Sequence, residues 1–206
     1  SYDIRHYVAL RRILRYLKAT PDAVFAIRPS ANYAGLQFKI YSDSNYAKHT
    51  IDRKSYSGSL VTLNGAVIDF NCKKQSIVAT SPCEAEYTAC SEACKDAMLP
   101  FHILEEMDEN TLHRKKGMNL LKPMKLLIDN NGAIALTKNP LSNRSSRHYS
   151  VRVHAVRDWV NKGYFLPDKV DTKDNRADGM TKALRSTAFQ RHFRRVGMLP
   201  SPTQVD

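Results

Sequence analysis

The order in which hydrophobic periodicities change along the chain constrains its fold more than any other feature. Residues 36–43, 57–63 and 66–70 alternate apolar and polar side chains, as half-buried strands do. The second and third of these segments flank Asn64-Gly65, a dipeptide typical of two-residue hairpin turns. The sequence therefore predicts three consecutive antiparallel strands.

The second half of the chain alternates between helix and strand. Ser81 is placed to cap a long helix over 83–107, and Asn130 or Asn131 can cap a short helix that reaches Lys138. The other predicted elements are strands over 124–129 and 164–170 and helices over 149–161 and 175–184. Because strands separated by helices add to a sheet through crossovers, we expect an α/β fold. It would contain a five-stranded mixed sheet with helices on both faces.

Basic amphipathic segments flank this core, which gives a chain of 206 residues one domain with extensions. The first is a helix over 4–19, and we expect its apolar stripe (Tyr7, Leu10, Leu14 and Leu17) to pack on the core. The second runs over about 186–196. The predicted division is an N-terminal helix and linker over 1–32, a core domain over 33–185, and a basic helix and tail over 186–206.

The net charge indicates a polyanionic partner. Lys and Arg number 32 against 20 Asp and Glu, which gives a formal charge of +12. The basic clusters have little apolar moment beside them, and no apolar run approaches a membrane span, so we expect nucleic acid and no membrane. Glycine spacing excludes the common nucleotide-binding loops, and the four cysteines, which form no CxxC pair, are expected to be reduced thiols.

Several carboxylates occupy positions where an α/β sheet builds its functional crevice. Asp43 and Asp129 each end a predicted strand, Glu84 and Glu86 lie in the first turn of the long helix, and Asp178 lies in the last core helix. Each acid alone is more often a helix cap than a ligand. If they converge, their repulsion requires a hard cation such as Mg²⁺ or Mn²⁺. A pair of such ions is typical of phosphodiester cleavage, which indicates a nuclease or polynucleotidyl transferase. The choice between Glu84 and Glu86 stays open at this point.

A set of short motifs follows in a fixed order over residues 2–197. They are 41–47 (YSDSNYA), 52–55 (DRKS), 57–58 (SG), 73–75 (KKQ), 84–87 (EAEY), 128–130 (IDN), 133–136 (AIAL), 138–140 (KNP), 147–148 (RH) and 177–182 (ADGMTK). In these motifs the chain resembles the ribonuclease H domain of copia-type (Pseudoviridae) LTR-retrotransposon Pol polyproteins. The N-terminal helix, which contains 12–18 (RILRYLK), resembles the segment that joins the reverse transcriptase to that domain.

The resemblance implies a catalytic role and a metal-binding role for each of four acids. Asp43 would bridge two metal ions, Glu86 and Asp129 would hold the ion on the leaving-group side, and Asp178 would hold the ion that activates water. Glu84 would then face solvent. Substrate contacts, including bonds to ribose 2′-hydroxyls, are expected from adjacent polar residues. These are Ser44, Asn45, Ser81 and Asn130.

The activity implied by the resemblance is a metal-dependent endoribonuclease that hydrolyses the RNA strand of RNA–DNA hybrids during reverse transcription. Its cofactors would be two Mg²⁺ or Mn²⁺ ions. Its partners would be the hybrid and the reverse transcriptase domain of the same polyprotein, and its location a cytoplasmic retrotransposon particle or the nucleus. Two alternatives remain: an integrase- or transposase-like polynucleotidyl transferase core, and a domesticated nucleic-acid-binding module without catalysis.

Overall fold

A computed structural model describes residues 3–30, 35–111, 120–138 and 150–199 of the chain. Some sequence features lie outside the described residues. They are the basic residues 114–116, the motif at 147–148 and the last part of the predicted C-terminal segment, 200–206.

The first half of the chain forms one helix and four strands. Helix α1 spans Ile4–Ala19, and strand β1 spans Val24–Phe25. The three predicted strands follow as β2 (Leu36–Asn45), β3 (Tyr56–Leu63) and β4 (Ala66–Lys74). Asn64 and Gly65 both have positive φ, 49° and 84°, as a tight hairpin turn requires.

The middle of the chain begins with the long helix α2, Pro82–Thr111. The Ser81 hydroxyl accepts a hydrogen bond from the Glu84 backbone N–H at 3.2 Å, so the predicted cap is confirmed. Strand β5 (Leu120–Ile128) and helix α3 (Asn131–Lys138) follow. The Asn130 side chain caps α3 by accepting a bond from the Ala133 N–H at 3.0 Å.

The last part of the chain contains α4 (Ser150–Asn161), β6 (Phe165–Lys169), a 3₁₀ turn (Thr172–Asp174), α5 (Asp178–Thr181), α6 (Ser186–Arg195) and β7 (Met198–Leu199). The prediction of a helix over 175–184 is wrong in extent, because α5 has only four residues. Asn175 accepts a bond from the Ala177 N–H at 3.1 Å and donates one to the Ser42 carbonyl at 2.9 Å. These bonds stabilise a local turn in place of a helical start.

The main sheet has the strand order β4-β3-β2-β5-β6. The β2–β3 and β3–β4 pairs are antiparallel, whereas β5 runs parallel to both β2 and β6. The predicted five-stranded mixed sheet is therefore confirmed. A second, two-stranded sheet joins β1 to β7 and was not predicted, since two residues are too few to show a periodicity.

Two hydrophobic cores cover the two faces of the sheet. Ile40 of β2 lies in the larger core, with residues of α2, α3 and α4 such as Phe101, Ala133 and Val156. Tyr41 is the next residue and points to the opposite face, where it joins Val196 in a smaller core beside α5 and α6. Helices therefore lie on both faces of the sheet, as predicted.

Helix α1 contradicts the expectation that its apolar stripe packs on the core. Tyr7, Leu10, Leu14 and Leu17 are each more than half exposed, and no residue of the helix is buried. Contact with α6 and β7 comes from its last turn, where the Tyr16 ring lies edge-on to Phe189 at 5.3 Å. The pattern identified an apolar face correctly, but the described residues do not cover that face.

Among the described residues, no helix combines the length and apolarity needed to cross a bilayer.

Candidate active site

Three carboxylates meet at the carboxyl ends of β2 and β5. These strands are parallel neighbours, and Tyr41 pairs with Leu127, so Asp43 and Asp129 each follow the last common pair by two residues. Glu86 reaches the same point from the second turn of α2. Each of the three residues offers an oxygen that lies within 4.8 Å of the other two. The structure thus brings Asp43, Glu86 and Asp129 into one group.

Asp43 is almost fully enclosed, with 2% of its surface exposed. Burial is the main cause that raises its pKa to about 6, while the nearby Asp178 and Asp129 add to the rise. Its Oδ2 accepts a hydrogen bond from the Thr181 hydroxyl, which acts in the opposite direction. A carboxylate buried among other acids is stabilised in its charged form by a nearby cation.

Glu86 is held by the residue that follows Asp43. Its Oε1 accepts bonds from the Ser44 backbone N–H at 3.2 Å and from the Ser44 hydroxyl at 2.9 Å. Its Oε2 is buried and has no hydrogen-bond partner among the described residues. Burial, followed by the charge of Asp43, raises the pKa of Glu86 to about 8.

Glu84 has a different role. Its Oε2 accepts bonds from the Thr80 backbone N–H and the Thr80 hydroxyl, both at 2.6 Å, so its carboxylate closes the start of α2. It is half-buried and is not part of the carboxylate group. The structure therefore places Glu86, and not Glu84, beside Asp43.

Asp129 is half-buried and is positioned by the 3₁₀ turn. Its Oδ2 accepts a hydrogen bond from the Thr172 hydroxyl at 3.1 Å. Its backbone carbonyl accepts a bond from the Lys169 ammonium group at the end of β6. The end of β5 is thereby tied to the neighbouring strand and to the segment that leads to α5.

Asp178 lies beside this group but is not one of its three members. Its Oδ1 forms an ion pair with Lys182, four residues later. The Lys182 ammonium group is also 4.0 Å from Asp43 Oδ1. The lysine thus supplies positive charge between two of the predicted metal ligands, and its own pKa is raised by Asp178 and Asp43 against the opposing effect of burial.

Each of the four predicted substrate-binding residues makes an internal hydrogen bond. Ser44 donates to Glu86, and the Asn45 amide donates to the Thr181 carbonyl at 2.9 Å. Ser81 and Asn130 cap α2 and α3, as described above. Substrate binding by these residues stays a prediction.

Sequence reasoning missed two residues of the site, Thr181 and Lys182. The available signal was their spacing, since residues three and four positions after Asp178 share its face of a helix. Both lie in the 177–182 motif, but only its aspartate was assigned a role. Their part in the site depends on the packing of α5 against Asp43, which the spacing alone does not reveal.

The arrangement fits divalent cations with oxygen ligands. All of the donors are carboxylates, the type that Mg²⁺ and Mn²⁺ prefer over softer metals. Glu86 Oε2 is buried and has no partner within the described ranges, and a buried carboxylate oxygen is costly unless a cation or proton satisfies it. Burial is the main cause that raises the pKa of both Asp43 and Glu86, and a nearby cation would favour the charged form of each.

The chain is similar to known proteins in both structure and sequence. No family model matches the chain. Among solved structures, the N-terminal RNase H domain of a Mycobacterium tuberculosis protein has a TM-score of 0.48 at 12% identity, with 77% of this chain and 97% of that chain covered. For LC11-RNase H1 in complex with an RNA/DNA hybrid, the TM-score is 0.46 at 13% identity, with 75% and 98% covered.

Several sequence relatives are retrotransposon proteins. The Pol polyprotein from transposon RE2 of Arabidopsis thaliana is 32% identical over 197 residues, which is 96% of this chain and 13% of the relative. The Pol polyprotein from transposon TNT 1-94 of Nicotiana tabacum is 32% identical over 193 residues, or 94% and 14%. A Ty1 Gag-Pol polyprotein of Saccharomyces cerevisiae is 30% identical over 150 residues, or 72% and 8%.

The chain spans only 13–14% of the length of the two plant relatives, but they cover nearly all of it. The sheet order and the helices on both faces agree with the resemblance found in the motifs. The chain therefore belongs to the Pol polyproteins of copia-type LTR retrotransposons, and it has the fold of their ribonuclease H domain.

Proposed function

We propose that this domain is a ribonuclease H, a metal-dependent endonuclease that hydrolyses the RNA strand of RNA–DNA hybrids during reverse transcription. The observation that carries the proposal is the meeting of Asp43, Glu86 and Asp129 within 4.8 Å at the end of the sheet. Asp178 lies beside them, across the Lys182 ammonium group. Membership in the Pol family supports a substrate that arises while RNA is copied into DNA.

Two Mg²⁺ or Mn²⁺ ions are the proposed cofactors. Asp43, Glu86 and Asp129 would hold one ion, and Asp43 and Asp178 would hold the other. When bound, such ions polarise the scissile phosphate and lower the pKa of the attacking water. The products of hydrolysis would carry 3′-hydroxyl and 5′-phosphate ends.

The protein's own residues orient this chemistry. Ser44 fixes one oxygen of Glu86, while the other oxygen has no hydrogen-bond partner in the described part of the chain. Thr172 orients the Asp129 carboxylate, and Thr181 orients that of Asp43. Each of these three carboxylates therefore has a side-chain hydroxyl that limits its rotation, which preorganises this part of the ligand set.

The chain's positive charge supports a nucleic-acid substrate. A net charge of +12 favours binding to phosphates, while contacts to 2′-hydroxyls would separate RNA from DNA. Ser44, Asn45, Ser81 and Asn130 remain the proposed contacts. Because each of them already makes an internal hydrogen bond, these residues would bind substrate with a remaining donor or acceptor.

The reverse transcriptase part of the same polyprotein is the proposed protein partner, in a cytoplasmic particle or in the nucleus. Relatives of the chain are Pol polyproteins many times its length. Seven large apolar side chains of α1 are more than half exposed, a pattern typical of an interaction surface. They are Ile4, Tyr7, Val8, Leu10, Ile13, Leu14 and Leu17.

The test of function is incubation of the purified chain with labelled RNA–DNA hybrid, duplex DNA and duplex RNA, in Mg²⁺, Mn²⁺, Ca²⁺ or EDTA. We expect cleavage of the RNA strand of the hybrid in Mg²⁺ or Mn²⁺, and little turnover in Ca²⁺, whose larger and looser shell spoils the geometry. Efficient cleavage in EDTA would exclude the metal mechanism. Strand transfer into duplex DNA would indicate a polynucleotidyl transferase, and binding without cleavage would indicate a non-catalytic module.

A further inference from the structure

Asp178 begins helix α5, which is too short to be stable without contacts to other elements. Helix α5 has four residues, and one helical turn is not stable alone. On its inner side it lies against Gly58 of β3, where an added Cβ would come within 2.7 Å of Thr181 Cγ2 and 2.9 Å of Met180 Cβ. Gly58 pairs with Asp43 across the sheet, so its missing side chain lets α5 approach the site.

On its outer side, α5 is in contact with His192 of α6. A Cβ added at Gly179 would lie 2.2 Å from both Cδ2 and Nε2 of the His192 ring. The imidazole therefore occupies the space that a side chain would need, directly against the backbone one residue after Asp178. Its Nε2 is buried and has no hydrogen-bond partner among the described residues, so the ring makes a packing contact there.

Other residues at the end of α6 hold it against the segment that precedes Asp178. Val196, at the end of α6, is 4% exposed and lies in the smaller core with Ala177. The Arg195 guanidinium donates to the Lys173 carbonyl at 3.0 Å and to Asp174 Oδ1 at 3.1 Å. Helix α6 is thus anchored to the segment before α5, while His192 contacts α5 itself.

We propose that His192 is a positioning residue, whose ring fixes the backbone of Gly179 and thereby the Asp178 carboxylate relative to Asp43. The proposal rests on the proposed nuclease function and adds a residue to its site. It assigns α6 a part in assembling the metal centre, separate from any contact of its arginines with phosphate.

The first test compares His192→Ala with Gln190→Ala, an exposed neutral position on the same helix. We expect His192→Ala to lower kcat at least about tenfold with KM for the hybrid unchanged, because a small displacement of a ligand is costly in rate. Calorimetric titration with Mn²⁺, without substrate, should show weaker binding of one of two ions. Gln190→Ala should match the wild type in both measurements.

A lower melting temperature with unchanged Mn²⁺ binding and unchanged kcat per folded molecule would overturn the proposal, since it would show a structural role alone. The Mn²⁺ titration needs no turnover. It therefore tests the positioning role even if the wild-type chain cleaves no hybrid, a result that would count against the proposed function only.

The second test is compensation between the two contacting residues. Gly179→Ala should weaken Mn²⁺ binding and lower kcat, because its Cβ must displace the ring. In the double variant His192→Ala/Gly179→Ala the space left by the ring admits the new methyl group, so activity and Mn²⁺ affinity should exceed those of Gly179→Ala. Losses in the double variant equal to the sum of the single losses would show that the contact does not position Asp178.

Discussion

The two sides of the carboxylate site are supported in different ways. Asp43, Glu86 and Asp129 lie on or beside long elements of the larger fold: β2 has 10 residues, α2 has 30 and β5 has 9. Asp178 begins a helix of only four residues. That helix is held by Gly58 on one side and His192 on the other, and by the Asn45 bond to the Thr181 carbonyl.

Chemically equivalent ligands in one site are therefore preorganised to different degrees. The positions of Asp43, Glu86 and Asp129 are set by the sheet and by helix α2. The hydrogen bonds and the core of these elements exist independently of the site. The Asp178 side follows from packing between short segments far apart in sequence. Disturbances at the surface should therefore reach Asp178 before they reach the other three acids.

The largest expected effect is loss of activity when either side of the site loses its acid. Asp43→Asn and Asp178→Asn should each reduce cleavage by at least ~10²-fold, comparable to the loss of other transition-state electrostatic groups. In metal-free buffer we expect Asp43→Asn to melt at the same or a higher temperature, because it removes a buried charge. Asp178→Asn should give no such gain, since its carboxylate already pairs with Lys182.

Glu84→Gln serves as the control in the same cleavage assay and should remain active, because Glu84 closes the start of α2 outside the carboxylate group. If Glu84→Gln were inactive and Glu86→Gln active, the assignment of the helix glutamate would be wrong.

A second effect should appear only on the Asp178 side. Lys182→Met removes the ammonium group next to Asp178 and Asp43, so a divalent cation meets less repulsion there. The affinity for Mn²⁺ of the site formed by Asp43 and Asp178 should rise roughly tenfold, which corresponds to about 1.4 kcal/mol of binding free energy. Calorimetry measures this, with Lys173→Met, a mostly exposed lysine, as the control. Equal gains at both ion sites would mean that Lys182 does not distinguish the two sides.

A third effect should come from the three-acid side and depend on pH. The pKa of Glu86 is raised to about 8 from 4.5, and that of Asp43 to about 6 from 3.8. Between pH 4 and 8 the folded chain in EDTA therefore binds more protons than the unfolded chain at these groups, so their contribution to stability falls as pH rises. The melting temperature of the wild type should fall relative to that of Glu86→Gln as the pH rises over this range. The fall should be roughly 2–4 °C for each kcal/mol of unfolding free energy lost.

Mg²⁺ should reverse the relative loss at pH 8, because the cation stabilises the ionised carboxylates. The contradicting observation would be parallel melting curves for the wild type and Glu86→Gln at every pH in EDTA.

The smallest effect should follow deletion of residues 1–20, whose described part reaches the rest of the fold through Tyr16, at Phe189 and Met198. The deletion exposes Phe189 by removing the Tyr16 ring, an edge contact of about 0.5–1.5 kcal/mol. We expect the melting temperature to fall by only about 2–4 °C per kcal/mol lost, with kcat unchanged. A strong fall in kcat on this deletion would show that α1 supports Asp178 through α6.

Addition of the reverse transcriptase part should protect the apolar face of α1 in the intact chain from hydrogen exchange.

Much of the fold could be predicted from local patterns. Alternation and the Asn64-Gly65 turn placed the three antiparallel strands, and the capping residues Ser81 and Asn130 placed the helices next to the site. Failures occurred where an element is too short for a pattern, as in β1 and β7, or where a side chain stabilises a turn, as Asn175 does before α5. The stripe of α1 shows a further limit, because amphipathicity reveals an apolar face but not whether anything covers it.

By itself, the sequence determined which acids can form the site, because strand ends and helix starts are set by local periodicity and turn chemistry. It also determined the charge that favours a nucleic-acid partner. The tertiary structure was needed to show that Ser44 holds Glu86 beside Asp43, that Lys182 lies between two acids, and that His192 contacts Gly179. The physical reason is that these contacts join residues on different elements. Their distances depend on how helices pack across the sheet, which no local pattern records.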